Sequence, residues 1–301
     1  MKNRLIKIFV FCVLLSITIA CKRTTKDYAD LNTQDWIHGS EDCSQNNDVL
    51  IQVVQYNSNT WILRQNKCTH YEAPFMFLFI GEEKALLMDT GATESPQSFP
   101  LQKTVANIIN KWQATHNKSI ELVIAHTHSH SDHFKGDIQF KDKAKIVGLK
   151  VEDVTNFFRI KNWPEEIVDF DLGNRIFKII PIPGHQKSSI AIYDTSSELL
   201  LTGDTFYPGR LYIEDWISFK KSIKRLVNFS NKHNIAYILG NHVEMSTAEG
   251  KDYPIGTTYQ PEEHKLPLTT DDLLVLHSAL EKLGDTPKKE VHPSFIIYPT
   301  K

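Results

Sequence analysis

Residues 123–136 read Val123-Ile124-Ala125-His126-Thr127-His128-Ser129-His130-Ser131-Asp132-His133-Phe134-Lys135-Gly136, and this stretch decides the fold. A short apolar run reads as a buried strand, and polar donors crowd its end. Within it, His128-x-His130-x-Asp132-His133 packs four nitrogen or oxygen donors into six residues. In extended or turning backbone alternate side chains point the same way, so His128 and His130 converge. Asp132 and His133 follow in the turn and face a second point nearby. Imidazole and carboxylate are donors that Zn²⁺ accepts. A purification-tag tract would be a uniform run at a terminus, and this stretch is neither. His126 stands ahead of the cluster and is read as a strand-end or supporting polar residue, outside the ligand set.

Three later positions share the design of an apolar strand ending in a donor. Pro181-Ile182-Pro183-Gly184-His185 delivers a histidine, Leu200-Leu201-Thr202-Gly203-Asp204 an aspartate, and Ile238-Leu239-Gly240-Asn241-His242 a histidine. Around them, strand-type runs are read over 49–55, 61–64, 75–80, 85–89, 120–125, 175–182, 189–193, 199–202, 235–239 and 294–298. Helical periodicity marks 101–115, 215–233 and 270–283, the last stopped by Gly284. Mixed strands and helices without repeats predict a layered α/β architecture.

With these motifs in order, the chain resembles the metallo-β-lactamase-fold hydrolases over most of residues 45–301, in the glyoxalase II and lactonase-like branch. The resemblance implies a four-layer αββα sandwich, with 43–301 as one catalytic domain and a two-metal site along one edge. It implies that His128, His130 and His185 bind one divalent ion, in all expectation Zn²⁺. Asp132, His133 and His242 bind the second, and Asp204 bridges both. Asp89, in Met88-Asp89-Thr90-Gly91, matches an early motif whose aspartate supports a ligand histidine instead of binding metal. Two metals lower the pKa of a bridging water, and the resulting hydroxide attacks an electrophilic centre. Asp132 additionally orients that nucleophile or carries its proton to the leaving group.

The resemblance also narrows the chemistry. Asp204 stands where dedicated β-lactamases carry Cys or Ser, which favours ester, thioester or lactone hydrolysis. His130 stands where flavodiiron relatives carry Glu. A mononuclear-iron sulfur dioxygenase, a phosphodiesterase and a metal-binding protein without turnover remain as alternatives. Candidates for lining a small-molecule substrate are His70, Tyr71, Phe75, Tyr207, Tyr253 and Tyr259, each with core or loop packing as its ordinary alternative. Arg210 reads either as an anion anchor or as a surface arginine. His38, His116, His233, His264, His277 and His292 read as ordinary surface or cap residues.

Composition fits an enzyme of this kind. The 301 residues are 41% hydrophobic and 23% charged, with Lys plus Arg at 34 and Asp plus Glu at 36. A formal charge of −2 lacks the basic excess of a nucleic-acid binder. Residues 1–20 have a basic start and a thirteen-residue, nearly apolar run, as in a secretory signal. Thr18-Ile19-Ala20-Cys21 resembles a bacterial lipoprotein cleavage site, which implies a lipidated Cys21 on the periplasmic side of a membrane. Ordinary cleavage near Ala20, giving a soluble exported protein, is the alternative. Cleavage removes Lys2, Arg4 and Lys7 and no acid, turning −2 into −5. Residues 21–42 read as a polar tether. Cys43 and Cys68 then remain, either as a disulfide or as two separate thiols.

Overall fold

The computed structural model describes residues 28–300. The signal segment 1–20 and Cys21 lie outside the described residues. Two six-stranded sheets face one another. The first comprises β1 (Ile51–Asn57), β2 (Thr60–Gln65), β3 (Phe75–Ile80), β4 (Lys84–Met88), β5 (Glu121–Ala125) and β6 (Lys145–Ile146), in that spatial order. The second runs β13 (Pro267–Leu268), β12 (Tyr237–Gly240), β10 (Leu199–Gly203), β9 (Ile190–Asp194), β8 (Ile176–Pro181) and β7 (Val168–Asp171). A small third sheet joins β11 (Arg210–Ile213), β15 (Ile296–Pro299) and β14 (Glu290–Val291).

The central strands are apolar on both faces, and the packing shows why. Phe75, Phe77 and Phe79 of β3 meet Phe177 and Ile179 of β8 and Ile190 and Ile192 of β9 in the core between the sheets. The alternate residues Met76, Leu78 and Ile80 pack outward with Val105, Ile109 and Trp112 of helix α1 (Leu101–His116). On the other side Ala191, Tyr193 and Leu200 pack against Trp216, Phe219 and Ile223 of α4 (Trp216–Ser230), together with Leu273 and Leu276 of α5 (Thr270–Leu283). This is the layered αββα sandwich that the sequence implied. Each fully buried large apolar side chain contributes about 1.5–3 kcal/mol. The short helices α2 (Ser131–Phe134) and α3 (Val151–Phe158) sit in the connections after β5 and β6.

Helix ends follow local chemistry. Asp215 caps α4 by accepting from the Ser218 amide at 3.0 Å. Thr269 and Asp272 form a reciprocal capping box at the start of α5.

Register then gathers the donors. Parallel pairing of β4 with β5 sets Met88 beside Ala125, so Asp89 and the His126–Asp132 stretch leave the first sheet together. Parallel pairing of β10 with β12 sets Gly203 beside Gly240, so Asp204 and His242 leave the second sheet together.

The tether expected over 21–42 is corrected for its described part. Leu31 is buried in the inter-sheet core and Trp36 packs edge-on against Phe75 at 4.8 Å. Gly39 bridges antiparallel to Tyr259. Apolar Leu31 and Trp36 gain more by covering the sandwich than by remaining in water, which a reading based on polarity overlooked. Cys43 and Cys68 are bonded, with Cα atoms 5.2 Å apart.

Candidate metal centre

Two donor groups sit side by side at the sheet edge: His128, His130 and His185 in one, and Asp132, His133, Asp204 and His242 in the other. In the first, His128 Nε2 lies 3.0 Å from His130 Nδ1, and His185 Nε2 lies 3.1 Å from each. Three ring nitrogens this close together could share one metal ion. The opposite ring edges settle the tautomers. His185 Nδ1 is 2.7 Å from the Tyr212 carbonyl, which only accepts, so Nδ1 carries the proton and Nε2 is bare. His242 Nδ1 likewise donates to the Glu72 carbonyl at 3.1 Å, which turns its Nε2 towards the second donor group.

In the second group Asp132 Oδ2 lies 3.1 Å from both His133 Nε2 and His242 Nε2. Asp204 Oδ2 lies 3.5 Å and 3.4 Å from those nitrogens, and 3.9 Å from both His128 Nε2 and His185 Nε2. It therefore stands between the two groups. Its other oxygen, Oδ1, is buried and finds no hydrogen-bond donor among the described residues. An unsatisfied buried carboxylate oxygen costs free energy that a cation would remove. Three imidazoles in one group, and two imidazoles with two carboxylates in the other, fit divalent metals.

Electrostatics agrees with that assignment. Burial, then the neighbouring His133 and His185, hold His128 well below the usual imidazole range, so it is a neutral donor. Burial likewise lowers His185. For His133 and His242 burial also opposes the charge, but the adjacent carboxylates outweigh it and raise both well above the usual value. Burial is outweighed again at Asp132 and Asp204, which the same histidines keep ionised. These are protons that a divalent ion would displace.

Asp89 lies behind the ligands. Its carboxylate accepts from the Thr127 amide (2.8 Å), the Thr127 hydroxyl (2.9 Å) and Asn241 Nδ2 (2.7 Å), and lies 3.3 Å from His133 Nδ1. Glycines precede two ligands for steric reasons. Gly184 has φ +143°, and a Cβ there would meet the Phe219 backbone at 2.4 Å; at Gly203, φ +55°, it would meet Thr127 at 2.8 Å.

A cleft of about 290 Å³ opens over the donors. Of the expected lining residues, Tyr71 and Tyr207 border it. Tyr207 is almost wholly buried and donates to the Arg210 carbonyl at 2.6 Å, so it is a wall. The other four are corrected. Phe75 points into the inter-sheet core, as the parity of β3 demands. His70 stacks on Tyr71, the Tyr253 hydroxyl accepts from the Glu262 amide, and Tyr259 packs near His38. Loop closure spends these rings on the loops themselves. Arg210 is neither an anion anchor nor a surface residue: it is 5% exposed and pairs with Glu244 and Asp252. His126 bonds Asp137 at 3.0 Å. Sequence reasoning passed over Lys67, Glu72, Tyr212 and Glu214, all on the cleft wall. Glu72 and Tyr212 orient ligands through backbone carbonyls, which leave no residue-type signal.

A model of the metallo-beta-lactamase superfamily matches residues 72–233. The acyl-coenzyme A thioesterase MBLAC2 of Bos taurus is 24% identical over 211 residues, covering 58% of this chain and 74% of that protein. Hydroxyacylglutathione hydrolase 1 of Vibrio vulnificus (strain YJ016) is 23% identical over 171 residues, covering 54% and 63%. A metallo-beta-lactamase from Pontibacter korlensis shares the fold with a TM-score of 0.51 at 16% identity, over 77% of this chain and 99% of that one. The mono-zinc form of FIM-1 from Pseudomonas aeruginosa gives 0.51 at 14% identity, over 79% and 98%. The family match spans more than half of the chain and includes the histidine cluster, so the chain belongs to the metallo-beta-lactamase superfamily of hydrolases.

Proposed function

We propose that the protein is an exported dinuclear zinc hydrolase acting on acyl carbonyl bonds: esters, thioesters or lactones. The observation that carries this reading is the place of Asp204, whose Oδ2 lies within 3.9 Å of ligand nitrogens from both groups. His128, His130 and His185 would hold one ion; Asp132, His133 and His242 the other; Asp204 would serve both. When bound, the two ions lower the pKa of a shared water and polarise the acyl carbonyl.

The chain's own residues supply the rest. The Tyr212 and Glu72 carbonyls fix the rings of His185 and His242, and Asp89 steadies His133. Asp132 borders the cleft and is held ionised. Both features support a role in which its carboxylate takes the proton of the attacking water and returns it to the leaving group. The relatives' printed activities, a thioesterase and a hydroxyacylglutathione hydrolase, support an acyl substrate. The signal segment and Cys21 complete the proposal: a chain exported and lipid-anchored on the periplasmic side of a bacterial membrane.

Metal analysis of the purified mature chain tests the reading. It should hold a pair of zinc ions, and chelation should remove them together with acyl-ester hydrolysis. His128→Ala should lose one ion of the pair and drop hydrolysis to background. Full metal content and activity in that variant would overturn the assignment.

A further inference from the structure

The charges lining the cleft bear on which leaving groups it tolerates. Apart from the histidines of the metal centre, two basic side chains border it, Lys67 and Arg210, and both are spent within the protein. Lys67 is 2% exposed; its Nζ donates to the Tyr71 carbonyl at 3.0 Å and lies 3.9 Å from Glu263. Arg210 donates to Glu244 (3.0 Å), Asp252 (2.5 Å), the Tyr253 carbonyl (2.8 Å) and the Tyr212 hydroxyl (3.0 Å). Two of the lining acids, Glu214 and Glu72, are placed differently. The Glu214 side chain is 46% exposed, with His130 Nε2 3.7 Å away. The Glu72 side chain is 32% exposed and accepts from the Tyr71 hydroxyl at 2.9 Å. Pro254 and Ile255 give the rim an apolar stretch, Ile255 being 66% exposed.

Beyond the metal centre, an incoming leaving group therefore meets the exposed Glu214 carboxylate, the partly buried Glu72 carboxylate and apolar surface, while Lys67 and Arg210 have committed their donors elsewhere. We propose that the site selects acyl substrates with a neutral or cationic leaving group and discriminates against polyanionic ones such as coenzyme A or glutathione. This rests on the acyl-hydrolase reading and sharpens it. The preference also separates the chain's expected substrates from those in its relatives' names. The discrimination is electrostatic: like charges across a partly desolvated cleft repel, and salt weakens the repulsion.

The test holds the acyl group constant and varies the thiol, using propionyl esters of thiocholine, N-acetylcysteamine, glutathione and coenzyme A with the zinc-loaded mature protein. For the two anionic esters, kcat/KM should fall about tenfold or more below that of the neutral ester, the size of one screened like-charge contact. The deficit should shrink as ionic strength rises. Glu214→Gln and Glu72→Gln should each narrow it. Calorimetric titration with desulfo-coenzyme A, which carries the anionic group without a reactive sulfur, should show no binding at low salt. Equal or faster turnover of the coenzyme A ester overturns the proposal and leaves the hydrolase reading standing. So does a deficit indifferent to both salt and the two substitutions, which would be steric. Turnover of none of the four esters by fully metallated protein overturns the hydrolase reading, and this proposal with it.

Discussion

Asp89 governs the centre without facing the cleft. It sits at φ 65°, a left-handed conformation that Asp and Asn tolerate better than most residues. From there one carboxylate satisfies Thr127, Asn241 and the outer edge of His133. Asp89→Asn keeps the backbone geometry but replaces an acceptor-only group with one that must donate. Metal affinity should fall ten- to hundredfold, about the usual cost of losing such a support. Competition with a chelating dye measures it, and unchanged affinity would show that Asp89 only fills space. Lys67 makes a different prediction. Burial, only partly offset by Glu263, lowers its pKa to about 8 from 10.5. Between those values the unfolded chain binds more protons than the folded one, so this residue's contribution to stability improves as pH rises from about 8 to 10.5; below that window it is a constant cost. In Lys67→Met the denaturation midpoint should climb less over that range than in the parent protein. Identical slopes would mean that Lys67 titrates normally.

At the scale of elements, most metal-type donors follow strand ends, with Asp132 and His133 in α2, and the cleft wall comes from connections together with Arg210 and Tyr212 of β11. Strands and their ends were legible in the sequence. The run 75–80 coincides with β3, and the reading 270–283 coincides with α5, because buried apolar runs and capping residues are local signals. The short elements α3, β6, β7, β11, β13 and β14 were not read, because a few residues carry too little periodicity. The β2–β3 connection depends on a partner outside itself. The Cys43–Cys68 bond pins it to the amino-terminal segment, next to Lys67 and close to Tyr71 and Glu72. Removing the bond with Cys43→Ser and Cys68→Ser together should cost about 3 kcal/mol, from the freedom a loop of that length regains in the unfolded chain. Chemical denaturation at fixed metal concentration would show it. A double variant as stable as the parent would mean that the segment is held by Leu31 and Trp36 alone.

Across the whole molecule, the donor set was written in the sequence by residue type. His, Asp and Gly at apolar run ends announce their chemistry wherever they stand, and the sandwich follows from strands apolar on both faces. The residues around those donors could be assigned only after folding. Arg64 meets Glu263 199 positions away, and Asn241 meets Asp89 152 positions away. No local pattern records such pairings. The same holds for the cleft cations: as sequence, Lys67 and Arg210 are simply two basic residues, and the fold commits both to internal acids. Donor chemistry is a property of the single side chain, so the sequence alone determined which residues offer metal-type donors. Charge balance, ring orientation and the ordering of residues 28–42 depend on distances between remote segments, and those the tertiary structure alone decided.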